Sequence, residues 1–125
     1  MRKRLWLNLL ILACIFWVHG CGAQVDRSIS LEDAKAKAET MDVKQLMKKA
    51  KSYSAEIEKQ QAKIQDVQSG LKGLSPRDLI GDKGKEIKEK MKVLSDDVEV
   101  LMKRYGVYAR KYKELGGDLS KIKIG

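Results

Sequence analysis

Apolar and polar positions divide this chain into two unlike parts that meet near residue 21. Leu5 to Val18 is almost wholly apolar, interrupted only by Asn8, whereas everything after residue 21 is polar, charged and helix-patterned. From Val43 the apolar residues recur in alternating steps of three and four. One seam position holds Val43, Ala50, Ile57, Ile64 and Leu71; the other holds Leu46, Tyr53, Gln60, Val67 and Leu74. Such spacing lines one face of a helix, as in a coiled coil, with Gln60 as a single polar intruder that can set register. A second seam runs through Ile87, Met91, Leu94, Val98, Leu101, Tyr105, Tyr108, Tyr112 and Leu115.

The ends of these elements are also written in the sequence. Ser30 can cap a short helix carrying Leu31, Ala34, Ala38 and Met41. Asp42 and Gln45 then form a second capping box, with Met41 and Leu46 at the hydrophobic-staple positions. This predicts a short helix joined to a long one, or one helix kinked near Asp42. Gly70 and Gly73 weaken the first long helix, and Ser75, Pro76 and Asp78 start a single further turn. Residues 70–83 are therefore expected to reverse the chain. Gly116 and Gly117 should stop the second long helix.

No segment shows the alternation or β-branched enrichment of a strand. The expected fold class is all-α: an antiparallel helical hairpin or coiled coil with a short extra N-terminal helix. It spans residues 30–115, with long helices at about 43–70 and 83–115, and is roughly 45 Å long. Residues 116–125 are expected to fray, although Leu119 and Ile122 keep the phase of the seam. A two-helix hairpin buries only one seam, so self-association into a four-helix bundle or an envelope protein partner is expected to cover the other face.

Composition narrows the chemistry. Charged residues make up 34% of the chain, with one proline and few aromatics, as in long helices. The single histidine, His19, lies next to the apolar segment, and Asp96, Asp97 and Glu99 are neighbours on a helix that do not converge on one point. No zinc, calcium or nucleophile motif is present. These features predict a protein that is not an enzyme, with no catalytic residues, metal ligands or cofactor.

The apolar stretch has its own reading. Arg2, Lys3 and Arg4 precede it, and about 14 residues of helix rise only ~21 Å, short of a bilayer's hydrocarbon core. A basic start, a short apolar run and small residues beyond it predict a signal peptide over residues 1–20. Cys14 would leave with it, so Cys21 would be the one cysteine of the mature chain, without an internal disulfide partner.

Val18, Gly20 and Cys21 match the aliphatic, small and cysteine positions of the lipobox, and here the chain resembles the signal peptides of bacterial lipoproteins. His19 departs from that pattern, which usually has a small or hydroxylated residue there. The resemblance covers the first 21 residues only. It implies a diacylglyceryl thioether on Cys21, cleavage before it and acylation of the new amino group, including palmitate-type chains. It also implies a cell-envelope location, anchored by lipid and facing the periplasm. Gly22 rather than aspartate after the cysteine leans toward the outer membrane. The alternative reading is ordinary cleavage after Ala23, which leaves a soluble secreted or periplasmic protein. Gly22 to Ile29 lacks a periodic pattern and reads as a tether reaching at most about 26–29 Å.

Charge supplies the last expectation. The net charge of +9 falls to about +6 without Arg2, Lys3 and Arg4. Lys44, Lys48, Lys49 and Lys51 begin the first long helix, while Lys103, Arg104, Arg110, Lys111 and Lys113 finish the second. An antiparallel hairpin gathers both groups at its open end, where the tether is also expected, and there they suit anionic lipid headgroups. Tyr53, Tyr105, Tyr108 and Tyr112 gather toward the same end and are expected to pack in the core. Nucleic acid is not an expected partner of an exported chain. The expected function is a structural or protein-interaction role at the membrane. The alternative is a holdase role, from similarity in charge and helical arms to tentacle-shaped periplasmic chaperones, whose strand body is missing here.

Overall fold

The structure, a computed structural model, describes residues 25–125. The expected signal peptide, the positions resembling a lipobox and Cys21 lie outside the described residues. Within them are four α-helices: α1 (Leu31–Glu39), α2 (Val43–Lys72), α3 (Pro76–Ile80) and α4 (Asp82–Glu114), followed by a 3₁₀ turn at Leu119–Lys121. The fold is an all-α antiparallel hairpin of α2 and α4.

Local chemistry sets each boundary. The Ser30 hydroxyl accepts from the Asp33 amide to cap α1. The Asp42 carboxylate accepts from the Gln45 amide while the Gln45 side chain accepts from the Asp42 amide, so α2 starts on a reciprocal capping box. The first helix is thus separate and not a kinked extension of α2. At the far end α3 is a single turn capped by Ser75 with Pro76 at its start. Gly84, in the first turn of α4, is buried beneath it, and a Cβ at Gly84 would collide with the backbone of Leu79. α4 ends where Gly116 adopts φ +88°, with Gly117 N–H donating to the Tyr112 carbonyl and Gly116 N–H to that of Lys113. Those paired bonds close the last turn with a left-handed glycine.

α1 runs parallel to α4, from Leu31 beside Met102 to Glu39 beside Lys111. Among the described residues the proximal half is therefore a three-helix bundle, and the distal half is the hairpin with only the single turn of α3 packed on α4. The buried core follows that division: Ile29, Ala34, Ala38, Leu46, Ala50, Tyr53, Ile57, Leu101, Tyr108, Ala109, Tyr112 and Ile122. Seam residues farther out, Ile64, Val67, Leu71, Ile87, Met91 and Leu94, are only half-buried.

Two expectations are corrected. The C-terminal stretch does not fray. Ile122 is 1% exposed, Tyr105 donates its hydroxyl to the Ile122 carbonyl at 2.7 Å, and Ser54 donates to the Lys123 carbonyl at 3.3 Å. Gly125 N–H reaches Glu58 Oε1 at 2.8 Å. The Schellman turn sends the chain back along the hairpin, and the Ile122 side chain joins the buried core. Nor is the stretch before α1 a free tether throughout, because Val25–Ile29 docks on the hairpin. Glu56 faces this N-terminal stretch and Glu58 faces the tail. Two residues apart, they point about 200° apart on α2, so the termini clasp opposite flanks.

Candidate functional site

The N-terminal stretch is fastened by four residues of the hairpin. Tyr53 donates its hydroxyl to the Asp26 carbonyl at 3.0 Å and accepts from the Asp26 amide at 3.3 Å. Arg27 bridges the two long helices, with Nη2 2.6 Å from Glu56 Oε1 and Nε 2.7 Å from Asp97 Oδ1. Arg104 closes the clasp from α4, donating from Nε at 3.0 Å and Nη2 at 2.6 Å to the Ile29 carbonyl. Its Nη1 holds the Val100 carbonyl. The two carboxylates hold the proton on the Arg27 guanidinium more firmly than usual. In return Arg27, and then Gln60, keep Glu56 below the ordinary carboxylate range. Gln60, the polar intruder of the first seam, is 6% exposed and donates to Glu56 Oε1 at 3.0 Å. Its place in the seam is explained by this network.

The chain thus reaches Val25 at the level of Tyr53, not at the open end. Ten residues separate Tyr53 from the start of α2, about 15 Å along the axis. The expected coincidence of tether and open end is corrected accordingly, because paired polar anchors pull the stretch down the flank. Tyr53, Glu56, Asp97 and Arg104 were not singled out for this role by the sequence. Arg27 belongs to a segment without periodicity, and nothing in its spacing marks its partners.

The basic residues divide into two groups. Lys44, Lys48, Lys51, Arg110 and Lys113 are exposed around the proximal half. Lys103 is exposed as well and pairs with Glu99 at 2.9 Å. Others hold the fold together. Lys111 Nζ lies 2.8 Å from Glu39 and 3.6 Å from Glu114, joining α1 to α4, and its pKa is raised mainly by the bond to Glu39. Lys49 sits half-buried with Nζ 6.0 Å from the centre of the Tyr108 ring. Its pKa is lowered by burial and then by the neighbouring charge of Lys37.

The tyrosines pack as core. Tyr53, Tyr108 and Tyr112 are buried, and the first two stack with centroids 5.5 Å apart. Tyr105 is half-buried and ties down the tail. Among the described residues no three His, Cys, Asp or Glu side chains converge on a point that could hold a metal ion, and no helix is long and apolar enough to cross a membrane.

Two open grooves mark the surface. One, of about 620 Å³, lies between α1 and α4 over Leu31, Ala38, Met102, Gly106 and Val107. The other, of about 660 Å³, lies between α2 and α4 in the distal half over Val67, Val93 and Leu94. No protein-family model matches the chain, and comparison with curated proteins and with solved structures returns no match.

Proposed function

We propose that the protein is a lipid-anchored envelope lipoprotein whose helical body has a non-catalytic structural or protein-interaction role. The observation that carries this reading is the order of features at the N-terminus: a basic start, a short apolar run, and Val18, Gly20 and Cys21 at lipobox positions. Two or more acyl chains on Cys21 would hold the protein firmly, at about 0.8 kcal/mol for each buried CH₂.

The docked N-terminal stretch supports a particular posture. Only four residue steps separate Cys21 from Val25, a reach of at most about 14 Å. A lipid at Cys21 therefore keeps the flank carrying Val25 close to the membrane, and the hairpin lies along the surface rather than standing away from it. Lys44, Lys51, Arg110 and Lys113 are exposed but project from the side of the hairpin away from Val25, so the lipid anchor rather than these charges sets the posture.

Intact-mass measurement tests the anchor. The expected mass is that of residues 21–125 plus acyl groups, and a chain beginning at Gln24 without lipid refutes the proposal. Cys21→Ser should move the protein from the membrane to the soluble fraction.

A further inference from the structure

We infer that residues 25–29 form a strap that opens as a unit, hinged at Ser30, while α1 and the hairpin stay folded. The inference is independent of the lipid anchor and rests on how the stretch is fastened. Every polar contact it makes with the hairpin runs through a side chain. Tyr53 holds both polar groups of the Asp26 backbone, Arg104 holds the Ile29 carbonyl, and Arg27 reaches Glu56 and Asp97. Among the described residues no backbone–backbone hydrogen bond joins the stretch to α2 or α4. The Ser28 amide and hydroxyl turn inward instead, donating to the Asp26 carboxylate at 2.9 and 2.6 Å. Within the stretch only Ile29 is buried, whereas Val25 is half-buried and Arg27 and Ser28 are exposed. A segment with one buried apolar side chain and no backbone ladder belongs to the low-stability end of a fold.

The start of α1 sets where the opening stops. Ser30 is extended, and its hydroxyl accepts from the Asp33 amide at 3.1 Å while its carbonyl accepts from the Ala34 amide. α1 therefore keeps its cap when the residues before Ser30 leave. Beyond the hinge Ala34 and Ala38 are buried and Glu39 pairs with Lys111, so α1 has its own hold on α4.

Opening changes the surface of the hairpin. It uncovers the Tyr53 hydroxyl and clears the gap between Glu56 and Asp97 that Arg27 bridges. That flank then runs without interruption into the distal groove over Val67, Val93 and Leu94. A pull on the chain before Val25 loads the Tyr53 bonds first, then Arg27, then Arg104 with Ile29, so the contacts peel in sequence. One consequence alone rests on the proposed anchor: release lengthens the tether between Cys21 and the body from four residue steps to nine, a reach of at most about 32 Å.

Native-state thiol labelling tests this on residues 21–125 carrying Cys21→Ser, since the whole described core lies within residues 25–125. Ile29→Cys places a thiol beneath the strap, and Ala38→Cys places one at a buried position beyond the hinge. With an aromatic disulfide reagent, Ile29→Cys should label at least tenfold faster than Ala38→Cys. Its rate should also depend less on urea, because a small unit exposes little surface on opening. Arg27→Ala should speed the labelling of Ile29→Cys about fivefold. Exchange of the Asp26 amide, followed by NMR with Ile29 in place, reads the same opening without disturbing the buried side chain. It should outpace exchange of the Ala38 amide at least tenfold and gain the same factor from Arg27→Ala. Equal rates with equal urea dependence at the two thiols overturn the inference. So does a rate at Ile29→Cys or at the Asp26 amide that is indifferent to Arg27→Ala.

Discussion

Tyr53 and Tyr108 offer a test in which the same chemical change has opposite signs. The rings are 23° from parallel and both residues are 0% exposed, but their hydroxyls differ. That of Tyr53 makes two hydrogen bonds to the Asp26 backbone. That of Tyr108 is buried and has no hydrogen-bond partner among the described residues. An unsatisfied buried hydroxyl costs about 1–3 kcal/mol, whereas a made bond contributes about 0.5–1.5 kcal/mol. Tyr108→Phe keeps the stacked ring and removes the penalty, less a small loss of packing where the oxygen was. It should stabilise the fold by about 1 kcal/mol. Tyr53→Phe removes both bonds and leaves the Asp26 carbonyl without its donor, costing about 1–3 kcal/mol. Urea unfolding followed by helical circular dichroism reads both. With a slope of about 1–3 kcal/mol per molar, the midpoint rises by roughly 0.5 M for Tyr108→Phe and falls by roughly 1 M for Tyr53→Phe, at unchanged slope. The pH dependence supplies a second reading. Burial pushes the Tyr108 hydroxyl up to about 12, above an unfolded value of about 10. Its contribution is therefore fully present below pH 10 and lost as the pH rises toward 12. Tyr108→Phe should flatten the decline in stability across that window. A lowered midpoint for Tyr108→Phe, or the same direction for both variants, refutes the reasoning.

Two further outcomes follow from the fold. Gly84→Ala drives a Cβ into the Leu79 backbone and should cost about 1–3 kcal/mol, whereas Gly106→Ala meets nothing within 4 Å and should gain up to about 1 kcal/mol from helix propensity; thermal unfolding separates them, and equal shifts would contradict the packing of α3 on α4. Arg27→Ala should cost about 1 kcal/mol at neutral pH, since the bridge is partly exposed and screened. Glu56 is lowered in the folded state, so its contribution is present above its unfolded pKa near 4.5 and is lost as acid carries the pH down through the folded value. The variant should consequently lose less stability than the wild type between pH 5 and 3, and parallel curves would show that the bridge is not coupled to folding.

The sequence carried the hairpin because a period of three and four reports which face of a helix meets a partner. Leu46, Ala50, Tyr53, Ile57, Leu101, Tyr108 and Tyr112 follow the two seams and are buried. The same pattern says nothing of how many partners cover that face. Val43, at the start of one seam, is 39% exposed and Leu115, at the end of the other, is 45% exposed, while the distal seam residues are half-buried for want of a third element. Docking of the termini was illegible for a related reason. Ile29 and Ile122 each add a single buried side chain to the core, and Arg27 and Arg104 act through partners about 30 to 75 residues away, so neither leaves a local period. Gly84 escaped for the same cause, since its small size answers to Leu79 across a turn and not to its own helix.

These hidden contacts also divide the labour of the molecule. The chain spends α1, its N-terminal stretch and its tail on completing one half of the hairpin, where the core, the polar clasp and most exposed cations gather. That half covers its own core, whereas the other half keeps an apolar strip with a rim of both signs. An even coiled coil would have spread its stability along its length and offered no such distinction. Among the described residues the uneven cover leaves the distal strip open, and the Arg27 bridge marks its inner limit. Loosening residues 25–29 should lengthen the open groove without changing the seam beneath it, so docking of the N-terminal stretch sets how much apolar surface the hairpin presents.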